Sequence, residues 1–244
     1  RMKQYEQAEA GRRLIPMLPV FARMDGRNFH SFTKNMDRPF DTNLHNCMVE
    51  TTKELMTETN AMIGYTQSDE ITLAWYYSDY KTDMFFGGNI HKLVSTLAAL
   101  TTIKFACECL AFMKPQLVDG LESMPTFDTR VWNVPHLDEA ANVFLWRELD
   151  ATRNSIFSAD RSYYSNKEIY KKKRQELQEL IWQKGMNWND YPDSFKRGTY
   201  IKKQEPTSPE LRTKMVPIEL PPLMKITNRP DVLFYGAEPI LSSE

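Results

Sequence analysis

The motif Asp25-Gly26 has the residue types that a combined metal and phosphate site requires. It follows an apolar, strand-like run at 19–22 and precedes an amphipathic segment that places Phe29 and Phe32 on one helix face. Glycine lets a phosphate approach the backbone closely, and the first turn of a helix offers free N–H groups. A carboxylate at the end of a strand, followed by glycine and a helix, therefore predicts such a site.

A second acidic motif, Ser68-Asp69-Glu70, interrupts a run of strand-forming residues. That run predicts a β-hairpin over residues 61–78, with the acids at or near its turn. Asp69 would then lie on a strand next to the one that carries Asp25. Two such carboxylates, with open coordination positions between them, suit magnesium that holds a nucleoside triphosphate.

The overall composition limits the classes of protein to consider. The chain has 244 residues, of which 41% are hydrophobic, enough to bury a full core. Its 31 basic and 32 acidic residues give a net charge of −1, so no overall positive field indicates a nucleic-acid partner. The three cysteines lack the spacing of a zinc site and predict reduced thiols. Because no apolar run approaches the roughly 20 residues needed to cross a bilayer, we expect a cytoplasmic protein with no membrane association.

Periodicity along the chain predicts alternating helices and strands. The predicted elements are a helix at 3–15, a strand at 19–25, helices at 27–34 and 39–59, the hairpin, a helix at 90–113 and a strand at 127–135. This order reads β-α-β-β-α-β, as in a ferredoxin-like domain. We therefore expect an α+β fold in which residues 1–135 form a polymerase-like palm with an antiparallel sheet.

The rest of the chain is predicted to extend this palm. Residues 136–204 are expected to be helical and basic, to belong to the same catalytic unit and to end in a final strand. Residues 205–244 contain seven of the fourteen prolines and predict an extended C-terminal tail. Three large aromatic residues, Trp132, Phe144 and Trp146, are expected in the core.

Four motifs, in this order, resemble those of a known enzyme family. They are the segments 23–32 (RMDGRNFHSF), 67–70 (QSDE), 127–130 (FDTR) and 146–150 (WRELD). The ordered set resembles the tRNA-His guanylyltransferase family, reverse-direction polymerases that add nucleotides to the 5′ end of tRNA. The resemblance implies a magnesium-dependent nucleotidyltransferase that uses ATP and GTP as substrates.

One segment indicates the branch of the family. Eukaryotic members carry His-x-Asn-Asn-x-x-Asn where this chain has residues 152–158 (TRNSIFS), which retain only Asn154. Segments 150–155 and 187–190 resemble the bacterial and archaeal guanylyltransferase-like branch, which implies template-dependent repair of 5′-truncated tRNA through a 5′-triphosphate or an adenylylated 5′ end. Addition of a single G at position −1 of tRNA-His, a nucleotidyl cyclase on the same palm and a non-catalytic RNA-binding protein remain alternatives.

The resemblance also implies roles for individual residues. Catalysis is expected from Asp25, Asp69 and Glu70, and a pair of magnesium ions is expected on Asp25, Gly26 and Asp69. The expected nucleotide-binding residues are Asp25, Gly26, Arg27, Asn28, Phe29, His30, Ser68, Asp69, Lys92 and Ser95. The expected contacts to the 5′-phosphate or the activating nucleotide are Arg23, Arg38, Arg130 and Asn154.

Basic residues in the second half of the chain predict a surface that contacts tRNA phosphates without reading sequence. The candidates are Arg153, Lys171, Lys172, Lys173, Lys196 and Arg197. The resemblance further implies a homotetramer, because in the family one tRNA spans more than one subunit.

Overall fold

The structure is a computed structural model, which describes residues 1–79, 81–82, 84–113, 124–204 and 213–242. The strands are β1 (Val20–Arg27), β2 (Ile63–Gln67), β3 (Glu70–Trp75), β4 (Thr126–Asn133), β5 (Thr199–Gln204) and β6 (Lys214–Ile218). The helices are α1 (Met2–Ala10), α2 (Phe29–Phe32), α3 (Thr42–Thr59), α4 (Ile90–Phe112), α5 (Leu137–Arg161), α6 (Asn166–Ile169), α7 (Arg174–Gln183) and α8 (Asp193–Arg197).

The six strands form one antiparallel sheet in the order β4-β1-β3-β2-β5-β6. The first four strands have the order expected of a ferredoxin-like palm, and β5 and β6 extend the sheet beyond β2. The predicted α+β palm is therefore confirmed. The expectation that the strand near residue 200 is the last one is wrong, because β6 follows it and pairs with it.

Local sequence signals explain where the two long helices of the palm begin. The Asp41 carboxylate accepts a hydrogen bond from the Leu44 N–H at 2.9 Å, which caps α3. The Asn89 side-chain oxygen does the same for the Lys92 N–H at 2.9 Å and caps α4. The first helix is shorter than predicted and ends at Ala10.

The sheet has two faces, which we name after the helices that cover them. On the α3/α4 face, Ala22 and Met24 of β1 pack with buried side chains such as Leu97 and Phe105. On the α5 face, the alternate residue Phe21 packs with residues of α5 and of the C-terminal segment. The division follows from the two-residue repeat of a strand, in which successive side chains point to opposite faces.

The C-terminal segment differs from the extended tail that the sequence predicted. Residues 213–242 contain β6, a 3₁₀ turn at Leu223–Lys225 and a π-helical turn at Asp231–Tyr235. Leu223 and Leu233 are buried against the α5 face. The prolines limit the local backbone, but the apolar residues between them find partners on the sheet.

Helix α4 is long and apolar enough, by length and composition alone, to cross a membrane. The expectation that no segment meets that test is therefore wrong for this helix. Its Leu93, Leu97 and Phe105 side chains are buried in the core of the α3/α4 face. Much of the rest of the helix is less covered, and Ile103 is 60% exposed.

Candidate active site

The register of the sheet brings the two acidic motifs together. Asp25 on β1 lies opposite Glu70 on β3, and the Gly26 N–H donates a hydrogen bond to the Asp69 carbonyl oxygen at 3.0 Å. Ser68, the first residue of the β2–β3 turn, has a positive φ of 50°. Asp25 lies inside β1 rather than at its end, because the strand continues to Arg27. The predicted meeting of Asp25 and Asp69 at one end of the sheet is thus present.

Gly26 is required at this position because its neighbours leave no space for a side chain. A β-carbon there would lie 2.2 Å from the Phe29 ring and 3.1 Å from the Asp69 β-carbon. The Phe29 ring is itself buried against Phe105 and Phe127. Phe29 therefore anchors the loop after β1 in the core, and only its backbone is available to a nucleotide.

Burial disfavours a negative charge on Asp69 and on Glu70. Burial raises the pKa of Asp69, and the charge of Asp25 raises it further. Burial also raises the pKa of Glu70 to about 6, against the lowering effect of two arginines. The described residues contain no cluster of three or more His, Cys, Asp or Glu side chains arranged to hold a metal. The available oxygen donors are the carboxylates of Asp25 and Asp69 and the Gly26 carbonyl.

Two arginines lie on the same face of the sheet as Asp25, one on β1 itself and one on β4. Arg23 and Arg130 are direct partners across β1 and β4. An Nη2 atom from each lies 4.0 Å from the same carboxylate oxygen of Asp25. Arg130 also pairs with Asp128 at 3.5 Å, and its side chain is more than half exposed. Two of the four predicted contacts for the 5′-phosphate or the activating nucleotide, Arg23 and Arg130, are therefore next to Asp25.

A cavity of about 550 Å³ opens beside the acids, between the loop after β1, the β2–β3 turn and α5. Four residues predicted from separate parts of the sequence line it: His30, Arg38, Ser68 and Asn154. Its volume is within the range of small-molecule sites. The lining also includes Arg161, which lies seven residues after Asn154 in α5 and had no predicted role. Helical spacing within α5 was the available signal for it.

Comparison with known proteins agrees with this geometry. The family model for Thg1, tRNAHis guanylyltransferase, matches residues 1–135. The chain belongs to the tRNA-His guanylyltransferase family. It is 30% identical over 213 residues to the tRNA(His) guanylyltransferase of Schizosaccharomyces pombe, an alignment that covers 81% of this chain and 77% of the relative. As a member of the family, the chain is a nucleotidyltransferase that acts in tRNA processing.

Two solved structures of bacterial proteins are also similar over nearly the whole chain. A bacterial tRNA(His) guanylyltransferase (Thg1)-like protein in complex with ATP has a TM-score of 0.81 and 33% identity, covering 92% of this chain and 93% of its own. A bacterial Thg1-like protein in complex with GTP has a TM-score of 0.76 and 32% identity, covering 92% of each chain.

The guanylyltransferase motif that includes Arg147 has a clear structural role here. The Arg147 Nε donates a hydrogen bond to Glu70 at 2.8 Å, and its Nη2 donates to Asp150 at 2.6 Å. Asp150 also accepts hydrogen bonds from Arg153 and Asn154. Glu70 is thus held by Arg147 in a buried ion pair. This arrangement favours a role for Glu70 in supporting the metal-binding acids over a role as a metal ligand itself.

Lys92 and Ser95, predicted to bind the triphosphate, are not next to the acids within one chain of this guanylyltransferase. Phe105 of α4 contacts Phe29 beside Gly26, whereas Lys92 lies thirteen residues earlier, roughly 20 Å along the helix at 1.5 Å per residue. The Ser95 hydroxyl donates to the His91 carbonyl at 2.8 Å. Their spacing predicted a shared helix face, but it carries no information on which end of the sheet that face reaches.

The predicted tRNA contacts divide into two groups. Lys171, Lys172 and Lys173 lie in the connection between α6 and α7. Lys196 and Arg197 instead make internal contacts: both pair with Asp193, and Lys196 donates to the Asn189 carbonyl at 2.7 Å. Arg197 also donates to the Leu220 carbonyl at 3.1 Å. These two cations hold α8 and the C-terminal segment in place, so their contact with tRNA remains a prediction.

One expected core residue is on the surface. Phe144 is buried, and Trp132 stacks on Phe21 with ring centroids 5.7 Å apart. Trp146 is 51% exposed. Its position follows from helix geometry, because two residues after an inward-facing Phe144 the helix has turned by about 200°.

Proposed function

We propose that this enzyme is a magnesium-dependent 3′-to-5′ nucleotidyltransferase that repairs 5′-truncated tRNA by templated addition to the 5′ end. One observation carries the proposal. A nucleotide-sized cavity lined by His30 and Ser68 opens beside the two acidic motifs, and the Asp25 carboxylate lies 4.0 Å from both Arg23 and Arg130. These neighbours suit an incoming nucleotide in the cavity and an RNA 5′-phosphate at the arginines.

The donor set fits magnesium. Asp25, Asp69 and the Gly26 carbonyl supply hard oxygen ligands, and Mg²⁺ is usually held by one or two carboxylates together with substrate phosphates and water. Burial, and to a lesser extent the charge of Asp25, raises the pKa of Asp69, and a bound cation would offset both effects. Bound magnesium would lower the pKa of the attacking hydroxyl and neutralise triphosphate charge.

The residues of the chain position both reactants. The cavity with His30 and Ser68 holds the incoming nucleotide. It also contains Arg38 and Asn154, which were expected at the 5′-phosphate or the activating nucleotide. The ATP and GTP complexes of the bacterial relatives support nucleotide substrates. Arg23 and Arg130 hold the 5′ end of the tRNA, for which planar, permanently charged guanidinium groups are suited.

The transfer itself is a displacement at phosphorus. The 3′-hydroxyl oxygen of the incoming nucleotide bonds to the phosphorus at the 5′ end and loses its proton. Pyrophosphate leaves from a triphosphorylated end, or AMP from an adenylylated one. Neither route needs a covalent enzyme intermediate.

Repair is favoured over addition of a single G by residues 152–158, which lack the His-x-Asn-Asn-x-x-Asn run. The similarity to the bacterial Thg1-like proteins, which covers 92% of the chain, supports the same choice. The similarity to the S. pombe enzyme favours the alternative, addition of G to tRNA-His.

The test is to incubate the protein with ATP, GTP, magnesium and tRNAs of several identities, each full-length or lacking 5′ nucleotides, and to sequence the 5′ ends. We expect templated extension of truncated tRNAs of every identity, and none with Asp25→Asn. Addition of G confined to full-length tRNA-His would establish the alternative. A cyclic product from nucleotide alone would indicate a cyclase and contradict both.

A further inference from the structure

Trp146 has an exposed indole side chain, and the proposed reaction gives it no role. It is 51% exposed and lies on the outward side of α5, in line with Asp150 and Arg153 at helical spacings of four and three. Because single exposed apolar side chains are common on protein surfaces, the exposure of Trp146 gains meaning only from the groups around it.

The indole is held in place by the charged network beneath it. The Arg147 guanidinium carbon lies 4.2 Å from the ring centroid, and that of Arg23 lies 5.7 Å away. Arg147 is itself buried and fixed by Glu70 and Asp150. Two guanidinium groups therefore contact the ring, and about half of the side chain remains exposed.

The indole lies near the group that the proposed function assigns to the 5′ end. The Arg23 guanidinium that approaches the ring also has its Nη2 atom 4.0 Å from the Asp25 carboxylate. Asn154, which lines the nucleotide cavity, is eight residues from Trp146, about 12 Å along the helix. Trp146 is thus next to Arg23 and distant from Asn154 along α5.

We propose that Trp146 stacks on the nucleobase of the nucleotide whose phosphate is attacked. This inference rests on the proposed function, because it needs the 5′ end to lie at Arg23 and Arg130. The base belongs either to the first nucleotide of the RNA or to the adenosine that activates a 5′-monophosphate. Both offer the same flat aromatic surface, and Trp146 contacts it without reading its identity.

The first experiment measures binding of 5′-triphosphorylated RNA, which needs no activating adenosine. Anisotropy of labelled RNA gives Kd for the wild type, Trp146→Leu, Trp146→Phe and the control Trp182→Leu. Trp182 is similarly exposed but belongs to α7. If the RNA supplies the base, we expect Trp146→Leu to weaken binding about 10- to 100-fold, the usual range for one stacked base. Trp146→Phe and Trp182→Leu should remain within about threefold of the wild type.

The same binding series with an abasic first nucleotide separates stacking from support of the arginines. If Trp146 stacks on the RNA base, the abasic RNA binds the wild type as weakly as normal RNA binds Trp146→Leu. Trp146→Leu then causes no further loss on the abasic RNA. If Trp146 only supports Arg23 and Arg147, its replacement weakens binding of both RNAs equally, and the proposal is wrong.

The second experiment uses 5′-monophosphorylated RNA and ATP without GTP, and measures the ATP concentration that half-saturates adenylylation. An increase of tenfold or more in Trp146→Leu, with unchanged binding of triphosphorylated RNA, assigns the stacked base to the activating adenosine. If neither RNA binding nor ATP half-saturation responds to Trp146→Leu, the inference is overturned. Failure of the proposed function would give a different result, namely no extension of any tRNA by the wild type.

Discussion

The two faces of the sheet use alternate residues of one strand in opposite ways. On the α3/α4 face, Ala22 and Met24 are fully buried among apolar side chains along the length of β1. On the α5 face, the side chains change from apolar to charged along the same strand, from Phe21 through Arg23 to Asp25. The first face stabilises the fold, and the second supports both a core and a reaction.

Helix α5 shows how one face can do both. Its Phe144 packs on Phe21, and Arg147, one turn later, binds Glu70 beside the acids. The same element that completes the core therefore also neutralises a buried carboxylate of the site. From the difference between the two faces we expect that removing a charged group on the α5 face can change the reaction rate. Removing side-chain volume on the α3/α4 face should change only the free energy of unfolding.

The largest expected effect is that of Asp69→Asn. We expect the extension rate to fall at least about 10³-fold, equivalent to about 4 kcal/mol of barrier, because a metal-binding carboxylate becomes a neutral amide. Stability should be unchanged or slightly higher, because burial already disfavours the charge of Asp69. Urea unfolding and single-turnover kinetics measure the two quantities. A large loss of stability would show that the carboxylate is structural.

Next is Arg147→Met, which removes the cation between Glu70 and Asp150. We expect a loss of about 3 kcal/mol in the free energy of unfolding, because the buried Glu70 carboxylate loses its hydrogen-bonded partner and keeps only Arg23, at 3.6 Å. The double variant Glu70→Gln/Arg147→Met should recover part of that loss in urea titrations. If the double variant is less stable than Arg147→Met, Glu70 has another partner that compensates it.

A smaller effect is expected from Ile71→Val on the α3/α4 face. Ile71 is fully buried and directly follows Glu70, so loss of one methylene should cost about 1 kcal/mol of stability. Because its side chain points away from the α5 face, the extension rate per folded molecule should not change. A reduced rate at full folding would contradict the independence of the two faces.

The last effect is a pH dependence of stability that arises from Asp160 of α5. Unlike Glu70, Asp160 has no arginine bound to its carboxylate among the described residues. Asp160 is fully buried, neither of its carboxylate oxygens has a hydrogen-bond partner among the described residues, and burial raises its pKa to about 6. The protonated form is favoured in the folded state. Its contribution to stability is therefore present below about pH 4, the ordinary pKa of Asp, and is lost as the pH rises through about 6.

Asp160→Asn removes this titration while keeping the shape of the side chain. At pH 8 we expect the variant to be more stable than the wild type by up to about 3 kcal/mol, the equivalent of a shift of about two pKa units, and at pH 4 to be nearly equal to it. Urea unfolding at the two pH values measures the difference. A variant that is less stable at pH 8 would show that the charged carboxylate has a favourable partner.

Much of the fold could be predicted because its signals are local. The Asp41 cap, the hairpin around Ser68 and the alternation of helices and strands follow from a few neighbouring residues, and all are present. The position of Lys92 relative to the acids could not be predicted, because helical spacing does not specify which end of the sheet a helix reaches. The exposure of Trp146 was missed because composition alone favours burial of a tryptophan.

By itself, the sequence determined the α+β palm, the family and the proximity of Asp25 to the Ser68-Asp69-Glu70 turn, since the order of elements along the chain and the turn chemistry are encoded by adjacent residues. Only the tertiary structure decided that Arg147 holds Glu70, that residues 213–242 complete a core, and that Trp146 faces solvent beside the arginines. These features depend on contacts between distant segments. Such contacts form where burial and charge pairing are favourable in three dimensions, and no local pattern records them.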